Sequence, residues 1–306
     1  MVIRFDNRVV IVTGSGNGLG KSHALEFARR GARVVVNDLG AARDGSGASS
    51  EAADAVVRQI LDDGGEAISN GANVADFAEV EVMVAEALER WGRVDVLVNN
   101  AGILRDKTFA KMDLKDFRLV VDVHLAGSVN CTKAVWEVMR EQQYGRIVMT
   151  SSSSGLYGNF GQTNYGAAKM ALVGLMNSLA LEGAKYGINV NALAPIAATR
   201  MTSDLMTEEV LALLEPEAVT PAVIFLAGED APTRQIVAAG AGVFARVVIQ
   251  ETPGVFLGTD RRDAEHVASA WEQISDTGGQ RELEAGGEQT VKFLQKAAAE
   301  LGIHLS

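Results

Sequence analysis

Short runs of apolar, often β-branched residues alternate along the first 240 residues with longer segments in which apolar positions recur every three or four residues. The short runs predict strands, and the longer segments predict amphipathic helices. Because the strands are apolar throughout, we expect a parallel sheet with helices on both faces, joined by right-handed crossovers into an α/β, doubly wound Rossmann fold. The predicted strands are residues 8–14, 32–38, 66–71, 94–100, 145–151, 188–194 and 235–240.

This pattern weakens after residue 242. Residues 244–254, FARVVIQETPG, fit either a strand or an arm, while residues 260–276 and 287–302 predict two amphipathic helices. About 60 residues cannot easily bury an independent core without disulfides or a metal. We therefore divide the chain into a main domain, residues 1–242, and a C-terminal extension, residues 243–306, that is expected to pack on that domain or on a second subunit.

Composition narrows the possible functions. The net charge of −11 argues against a surface for nucleic acid or an anionic membrane, because binding to phosphates requires a basic face. The single cysteine, Cys131, lies in an apolar helical segment and is expected to be a buried, inert thiol. No histidine stands at metal-ligand spacing, so we predict no metal site. Without a leader or an apolar segment near the ~20 residues of a membrane span, a soluble cytoplasmic protein is the default expectation.

A glycine cluster joins the first predicted strand to the first helix. In TGSGNGLG, residues 13–20, glycines occupy positions 14, 16, 18 and 20. Such a junction allows a tight turn, a close approach of the backbone to a pyrophosphate, and helix amides that face the anion. A flexible surface turn is the alternative, but four glycines at the first strand-to-helix junction favour a dinucleotide site.

Two further strand ends carry candidate cofactor contacts. Asp38 follows the second strand, 18 residues after Gly20, close to the interval of about 20 for an acid that binds the adenosine ribose. Such a carboxylate repels a 2′-phosphate and predicts NAD over NADP, although Asp38 could also be a turn residue. Arg43 is the nearest arginine, in the Gly- and Ser-rich loop 40–50. NNAG, residues 99–102, leaves room for adenosine, and Asn99 is expected to hold backbone.

Tyr165 and Lys169 are four residues apart and share a face of a predicted helix. Alone, this spacing is common on solvated helices. Here it follows a strand that ends in the four serines 151–154. Hydride transfer at a carbonyl carbon needs a proton donor or acceptor, and a tyrosine with an ordinary pKa of about 10 needs a nearby cation to act near neutral pH. We expect Lys169 to lower the pKa of Tyr165.

The motifs TGSGNGLG, NNAG, SSSS and YGAAK resemble, in order and spacing, those of the short-chain dehydrogenase/reductase family over residues 5 to about 240. The resemblance implies a seven-stranded parallel sheet, a homodimer or homotetramer, and a catalytic serine 13 residues before the tyrosine, which is Ser152. Ser151 would then close the strand, while Ser153 and Ser154 would begin the next loop.

Longer segments are similar to one group of this family, the dehydrogenase domains of peroxisomal multifunctional enzyme type 2, also called 17β-hydroxysteroid dehydrogenase type 4. These segments are NNAGILRD, VHLAGS and YGRIVMTSSSSGLYGNFGQTNY. The group oxidises (3R)-hydroxyacyl-CoA esters, and some members oxidise 17β-hydroxysteroids. We expect a stand-alone, bacterial-type version of that domain.

Three positions depart from the family pattern. His124 stands where the family has an asparagine that holds a water; an imidazole could relay a proton there, or it could be a packed histidine bonded to a carbonyl. Asn73 and Val74 replace the usual acidic residue that binds adenine. Pro195-Ile196 replaces the usual Pro-Gly, so the nicotinamide-binding loop near Ala198 and Thr199 is only partly matched.

The site expected from motifs and resemblance places catalysis on Ser152, Tyr165, Lys169 and His124. The residues expected to contact NAD are Gly14, Gly16, Asn17, Gly18, Leu19, Gly20, Asp38, Asn73, Val74, Asn99, Ala101, Gly102, Tyr165, Lys169, Pro195 and Ala198.

The resulting hypothesis is NAD-dependent oxidation of a secondary alcohol, a (3R)-hydroxyacyl-CoA ester or a 17β-hydroxysteroid. A 3-oxoacyl thioester reductase is the alternative within the family, and a non-catalytic NAD-binding regulator is the alternative from another class.

Apolar residues of the segment 201–216 could line the substrate site or be the core face of a helix; they are Met201, Leu205, Met206, Leu211 and Leu214.

Overall fold

The computed structural model describes residues 2–197 and 207–305. The chain divides into two compact units, residues 1–246 and residues 247–306. The first unit contains the seven predicted strands, each within two residues of its expected bounds. They are β1 (Val9–Thr13), β2 (Arg33–Asn37), β3 (Glu66–Asn70), β4 (Val96–Asn99), β5 (Gly145–Thr150), β6 (Ile188–Pro195) and β7 (Ile236–Gly240).

These strands form one sheet in the order β3-β2-β1-β4-β5-β6-β7, with every pairing among them parallel, which confirms the predicted doubly wound fold. The order reverses between β1 and β4. In such sheets, ligands bind beyond the carboxyl ends of the strands at this switch point. The glycine cluster after β1 and NNAG at the end of β4 are therefore neighbours.

An eighth strand, β8 (Val243–Val247), extends the sheet beside β7. Only Ala241 and Gly242 separate the two strands, and both have positive φ, +50° and +74°. Two such residues form the tight turn of an antiparallel hairpin. The expected seven-stranded sheet is thus eight-stranded, and the segment left open as a strand or an arm begins as a strand.

Helices cover the sheet, and α3 (Phe77–Trp91) illustrates how the sequence determines them. Asp76 begins this helix by accepting a hydrogen bond from the amide of Ala78 at 2.9 Å. Gly92 ends it in the left-handed conformation, φ +73°. The other helices of this unit are α1 (Gly18–Arg29), α2 (Glu51–Asp62), α4 (Leu114–Val121), α5 (Gly127–Gln142), α6 (Ser153–Tyr157), α7 (Thr163–Gly183), α8 (Glu208–Leu213) and α9 (Thr220–Leu226).

The long predicted helix before β5 is interrupted. A π-helical turn, Asp122–Ala126, separates α4 from α5 and contains His124. Single π-helical turns inside α-helices often lie at functional sites, because the wider turn redirects one side chain. In α5, Cys131 is buried, as predicted, and burial raises the pKa of its thiol to about 12.

The second unit contains a small antiparallel pair, β9 (Gln250–Glu251) with β10 (Arg281–Glu282), and the predicted terminal helix, α12 (Gly286–Leu301). Lys292 of α12 donates to Glu251 at 2.6 Å. The other predicted helix is divided into α10 (Ala264–Ser269) and α11 (Trp271–Ile274). The Ser269 hydroxyl donates to the carbonyl of His266 at 2.9 Å, a local bond that competes with the helical ladder.

The core lies on both faces of the parallel sheet. β1 and β5 are buried along their whole length. Each such aliphatic side chain contributes about 1.5–3 kcal/mol by leaving water. In the described part of the chain, no helix has the length and apolar character to cross a membrane, and no three His, Cys, Asp or Glu side chains gather in a group that could hold a metal.

Candidate active site

Close packing explains two glycines of the turn between β1 and α1. Gly14 has φ +64°, and a Cβ added there would lie 2.8 Å from the Cα of Ala101. A Cβ added at Gly20 would lie 2.2 Å from the carbonyl oxygen of Gly14. Glycine at these positions allows the turn, the helix and the end of β4 to approach one another.

The start of α1 is open to a ligand. A Cβ added at Gly18 would meet no described atom within 4 Å. Asn17 precedes the helix in an extended conformation, and its side chain caps none of the described helix amides. The first amides of a helix lack intrahelical acceptors, so they can bind an anion here. This geometry fits the pyrophosphate of a dinucleotide.

Asp38 links the end of β2 to the glycine turn. One carboxylate oxygen accepts the amide hydrogen of Gly16 at 2.7 Å, and the other accepts that of Gly40 at 2.7 Å. A Cβ at Gly16 would lie 2.8 Å from the Asp38 carboxylate. Asp38 therefore has the turn function that the sequence left open, and its negative charge also borders the adjacent cleft.

The asparagine that holds the glycine turn is Asn100, not Asn99. The Asn100 side-chain amide donates to the carbonyl oxygens of Thr13 at 2.9 Å and Gly14 at 3.0 Å. Asn99 is buried on the opposite side, where its amide donates to Thr132 at 3.1 Å. Successive side chains of a strand point to opposite faces, so neighbouring asparagines have different partners. The expectation for Asn99 was wrong by one residue.

A cleft of about 580 Å³ lies at this edge of the sheet. Its open helix amides, its glycine-lined floor and the Asp38 carboxylate fit a nicotinamide dinucleotide. The predicted residues that line it are Gly14, Asn17, Gly18, Asp38, Asn73, Val74, Ala101 and Gly102.

The other predicted cofactor residues that the structure describes do not line this cleft; they are Gly16, Leu19, Gly20, Asn99, Tyr165, Lys169 and Pro195. Leu19 packs against the core, and Pro195 ends β6. Of the apolar substrate candidates, Leu211 and Leu214 are half-buried. Ala198, Thr199, Met201, Leu205 and Met206 lie outside the described residues.

The Gly- and Ser-rich loop 40–50 folds over the segment that follows β4. The Arg43 carbonyl accepts the amide hydrogen of Leu104 at 3.0 Å, and the Asp44 carbonyl accepts the Arg105 Nε hydrogen at 2.8 Å. Arg43 lines the cleft, and its Nη2 is buried without a hydrogen-bond partner among the described residues. A cation thus borders the same cleft as the Asp38 carboxylate.

The four serines after β5 occupy different environments. Ser151 is fully buried and donates to the carbonyl of Lys169 at 2.8 Å, which joins β5 to α7. Ser152 begins α6, and its hydroxyl oxygen accepts the amide hydrogen of Ser154 at 3.2 Å. Ser153 is exposed, and Ser154 donates to Gln162 at 2.8 Å.

Tyr165 and Lys169 lie on one face of α7, as their spacing predicts. The Lys169 Nζ lies 5.5 Å from the centre of the Tyr165 ring. Lys169 is buried and donates to the carbonyl of Thr150 at 2.5 Å. The Ser152 hydroxyl is near enough to Tyr165 to lower the pKa of the phenol. The three side chains therefore meet at the carboxyl end of β5.

Burial dominates the protonation of this group. It raises the pKa of Tyr165; the Ser152 hydroxyl opposes the rise, and the Asp106 carboxylate adds to it. Burial also lowers the pKa of Lys169 to about 7. We expected Lys169 to lower the pKa of Tyr165, but desolvation of the phenolate has the larger effect in this structure.

His124 is a packed, neutral histidine. Its Nε2 lies 2.8 Å from the Ile103 carbonyl oxygen, and its ring stands edge-on to Tyr165 with centroids 5.2 Å apart. Burial and the Lys169 charge lower its pKa to about 3. Its Nδ1 is buried without a partner among the described residues. A Cβ added at Gly102 would lie 2.2 Å from the His124 Cε1.

The sequence did not reveal a series of hydrogen bonds beside Tyr165 that joins Asp106, Gln162 and Ser154. The Asp106 carboxylate accepts from the Gln162 amide at 2.7 Å, and the Gln162 carbonyl accepts from Ser154. The other Asp106 oxygen is buried without a described partner. Asp106 lies within ILRD, and Gln162 lies within QTNY, so both stood in segments already singled out. Their proximity depends on the fold and has no local sequence signal.

Known proteins with similar sequences are dehydrogenases and reductases. The sequence profile described as short chain dehydrogenase matches residues 8–210. A short-chain type dehydrogenase/reductase of Mycobacterium tuberculosis is 50% identical over 274 residues, covering 89% of this chain and 96% of that protein. The 3-oxoacyl-[acyl-carrier-protein] reductase of Synechocystis is 43% identical over 231 residues, covering 73% of this chain and 90% of that protein.

The peroxisomal multifunctional enzyme type 2 of Drosophila melanogaster is 43% identical over 297 residues, covering 96% of this chain. This chain spans about half of that enzyme's length, 49%. The full-length structure of the same enzyme superposes with a TM-score of 0.81 at 36% identity, covering 97% of this chain and 50% of that one. A 7α-hydroxysteroid dehydrogenase complexed with NADH and 7-oxo glycochenodeoxycholic acid superposes with a TM-score of 0.70 at 28% identity, covering 78% and 95% of the two chains.

Proposed function

Since this chain belongs to the short chain dehydrogenase family, we propose that it oxidises a secondary alcohol to a ketone with NAD. It is an oxidoreductase of a family that binds NAD or NADP. The arrangement of Ser152, Tyr165 and Lys169 beside the dinucleotide cleft carries the proposal. A non-catalytic protein that only binds NAD would not require a buried Lys169 close to the hydroxyl groups of Ser152 and Tyr165.

The proposed reaction assigns one task to each side chain. Tyr165, as the phenolate, removes the proton from the substrate hydroxyl while the carbon–hydrogen bond breaks. The Ser152 hydroxyl oxygen accepts from the Ser154 amide, so its own hydrogen can be donated to the reacting oxygen. NAD, when bound, would supply the acceptor for the hydride and a positive charge that favours the phenolate. The products are the ketone, the reduced cofactor and one proton.

Lys169 and His124 support the proton transfer. A protonated Lys169, 5.5 Å from the Tyr165 ring centre, favours the phenolate. Its pKa of about 7 allows it to gain or lose a proton near neutral pH. His124 is proposed as the relay residue; because it is neutral above its pKa of about 3, it would act through the unpartnered Nδ1.

NAD is preferred over NADP in this proposal because the Asp38 carboxylate borders the cleft and repels a 2′-phosphate. Arg43 in the same cleft has the opposite effect, so cofactor choice depends on both charges.

The substrate is proposed to be a (3R)-hydroxyacyl-CoA ester or a 17β-hydroxysteroid, consistent with the similarity to multifunctional enzyme type 2. The Synechocystis relative supports 3-oxoacyl reduction as the second candidate. We also propose a cytoplasmic homodimer or homotetramer, since members of the family commonly form oligomers.

Steady-state kinetics test the proposal. Purified protein is assayed with NAD or NADP and a panel of (3R)- and (3S)-hydroxyacyl-CoA esters and 17β-hydroxysteroids. Tyr165→Phe is expected to reduce kcat at least a hundredfold while NAD still binds by tryptophan fluorescence titration. Tyr186→Phe, three residues beyond the end of α7, is the matched control and should keep kcat. Near-normal turnover by Tyr165→Phe would contradict the assignment of the base.

A further inference from the structure

The first turn of α7, which carries Tyr165, is bonded to the segment that follows β4. The Gln162 side-chain amide donates to the Asp106 carboxylate at 2.7 Å. The Asn164 side-chain amide donates to the Arg105 carbonyl at 3.0 Å, and its oxygen accepts the amide hydrogen of Tyr165 at 2.8 Å. Both bonds to the segment come from residues within three positions of Tyr165, so they fix the start of α7 against this segment.

The same segment also holds the histidine that packs against Tyr165. The Ile103 carbonyl oxygen lies 2.8 Å from the His124 Nε2, and the centres of the His124 and Tyr165 rings are 5.2 Å apart. Residues 103–106 therefore connect to Tyr165 twice, once through His124 and once through the start of α7. The position of the Tyr165 ring depends on both connections.

Gln162 has an unusual use for a residue that immediately precedes a helix. Side chains at this position commonly cap the helix, but the Gln162 side chain makes no capping bond. Its oxygen accepts from the Ser154 hydroxyl at 2.8 Å and from the Asn159 amide at 3.0 Å. Because a carboxylate can only accept, the nitrogen of the Gln162 amide must face Asp106. Asp106 therefore determines the direction of the Gln162 amide.

Asp106 lies close to the phenol of Tyr165. Its charge raises the pKa of Tyr165, which places the carboxylate within electrostatic reach of the ring. Neither Asp106 nor Gln162 is among the described residues that line the dinucleotide cleft. A change at either residue should therefore affect proton transfer more than the binding of NAD.

We propose that Asp106 and Gln162 are positioning residues, whose hydrogen bond holds the start of α7 so that the Tyr165 hydroxyl reaches the hydroxyl of the substrate. This inference rests on the proposed function, because Tyr165 is the base of that reaction. Both residues act through α7 and not through contact with the substrate. A base misplaced by ~1 Å loses about a hundredfold in rate, so the direction of one amide before α7 has a large effect on turnover.

The test exchanges the two side-chain groups. Gln162→Glu places a second carboxylate against Asp106, where neither group can donate, and should lower kcat at least about tenfold. Asp106→Asn alone should keep kcat within about threefold, because its oxygen can still accept from Gln162. The double variant, Asp106→Asn with Gln162→Glu, restores the bond in reverse, since the new amide donates and the new carboxylate accepts. Its kcat should return to within about threefold of the wild type.

Two further measurements separate positioning from charge and from folding. Each kcat is taken from the alkaline plateau of its pH profile, where Tyr165 is ionised and a shift in its pKa has no effect. KM for NAD should stay within about twofold in all variants. Urea unfolding at the assay pH identifies variants that are folded. Asp106→Ala removes the acceptor without adding a charge, should also lower kcat about tenfold, and replaces Gln162→Glu if that variant does not fold.

Gln59→Glu is the matched control, because it makes the same substitution at an exposed position of α2. It should leave kcat unchanged, and adding it to Asp106→Asn should change nothing further. A rescue that depends on the pair should occur only with the substitution at Gln162.

Crystal structures add a measurement that needs no turnover. In Gln162→Glu, the Tyr165 ring should move by about 1 Å relative to His124, since the start of α7 loses its bond to Asp106. In the double variant, the ring should return to its position in the wild type.

Different results would overturn different claims. Normal kcat in Gln162→Glu, or a double variant as impaired as Gln162→Glu, would overturn the positioning pair and leave the proposed function in place. A wild type that oxidises no alcohol of the panel would contradict the proposed function, and the position of Tyr165 in the crystal structures would then decide the pair by itself. A Tyr165 ring that does not move in Gln162→Glu would overturn the pair.

Discussion

The ring of His124 stands perpendicular to the ring of Tyr165, with planes at 88° and centroids 5.2 Å apart. The Ile103 backbone holds the other edge of the histidine, because the His124 Nε2 lies 2.8 Å from the Ile103 carbonyl oxygen and 3.0 Å from the Ile103 amide nitrogen. It therefore fixes the position of Tyr165 in addition to any role in proton relay.

Replacements at His124 should separate these two roles. His124→Phe keeps an aromatic edge contact but removes the bond to the Ile103 backbone, and should lower the free energy of unfolding by about 1–3 kcal/mol. His124→Asn, the residue typical of the family, can still bond and should retain most of kcat. Denaturant unfolding and kcat are measured for both. Equal kcat in the two variants would contradict a proton relay through this position.

The serine run should respond unequally to alanine. Ser152→Ala removes the hydroxyl proposed to bind the reacting oxygen, and kcat should fall about a hundredfold. Ser151→Ala removes the bond to the Lys169 carbonyl and should cost about 1 kcal/mol of stability with a smaller effect on kcat. Ser154→Ala should have the least effect on turnover. Equal losses of kcat at all three positions would contradict the assignment of Ser152 as the catalytic serine of the run.

Asp106 should tune the pH dependence of turnover. Its carboxylate raises the pKa of Tyr165. In Asp106→Asn that charge is absent, so the pKa of Tyr165 should fall and the acidic limb of the kcat profile for oxidation should move to lower pH. Asp62→Asn, an exposed position on α2, removes one charge elsewhere and should leave the profile in place. A profile that moves the same way in both variants would argue for a general charge effect.

Cofactor choice should depend on the balance between Asp38 and Arg43. Asp38→Ala should reduce the ratio of kcat/KM for NAD to that for NADP at least tenfold, because the repulsion of a 2′-phosphate is lost. It should also loosen the glycine turn, which loses the bonds to Gly16 and Gly40. Adding Arg43→Ala to Asp38→Ala should cancel most of the gain with NADP. An unchanged cofactor ratio in Asp38→Ala would refute the charge argument.

Acid should destabilise the protein through two buried histidines. Burial lowers the pKa of His23 and of His124 to about 3 in the folded state, against an ordinary value of 6.5. Below pH 6.5 the unfolded chain binds protons that the folded chain does not, so stability falls as pH falls towards 3. The slope is at most about 1.4 kcal/mol per pH unit for each histidine.

Urea unfolding at pH 7, 6 and 5 measures this slope. His23→Gln can still bond to the Thr220 hydroxyl, which lies 2.8 Å from the histidine Nδ1, but it binds no proton in this range. Its stability should therefore depend less on pH than that of the wild type. His304→Gln is the control, since the His304 side chain is exposed. The same slope in wild type and His23→Gln would exclude His23 as a source.

Local sequence patterns were sufficient to predict most of the parallel sheet and the positions of the main site motifs. Apolar runs identified the central strands of the parallel sheet, because strands buried on both faces carry no polar alternation. The edge strand β3, with the sequence EAISN, is only partly buried and mixes polar with apolar residues. The glycine spacing after β1 identified the open helix start at Gly18. The Tyr165–Lys169 spacing placed both side chains on one helix face.

The remaining features depend on contacts between distant segments. Asn99 and Asn100 were interchanged because the face of a strand residue depends on the exact strand register. Arg43 lies in the Gly- and Ser-rich loop 40–50, which predicts no regular element, and bonds from Leu104 and Arg105 to this loop hold it beside the cleft. The pKa of Tyr165 was misjudged because its sign follows from burial, which sequence spacing does not report.

Gly102 and His124 also constrain how this site can change through evolution. A side chain at position 102 would overlap the imidazole, since its Cβ would lie 2.2 Å from the ring. Position 124 must therefore become smaller before position 102 can accept a larger residue, and the reverse order passes through a folding defect. The two positions form an epistatic pair with one permitted order of substitution, and lineages that keep the histidine should keep the glycine with it.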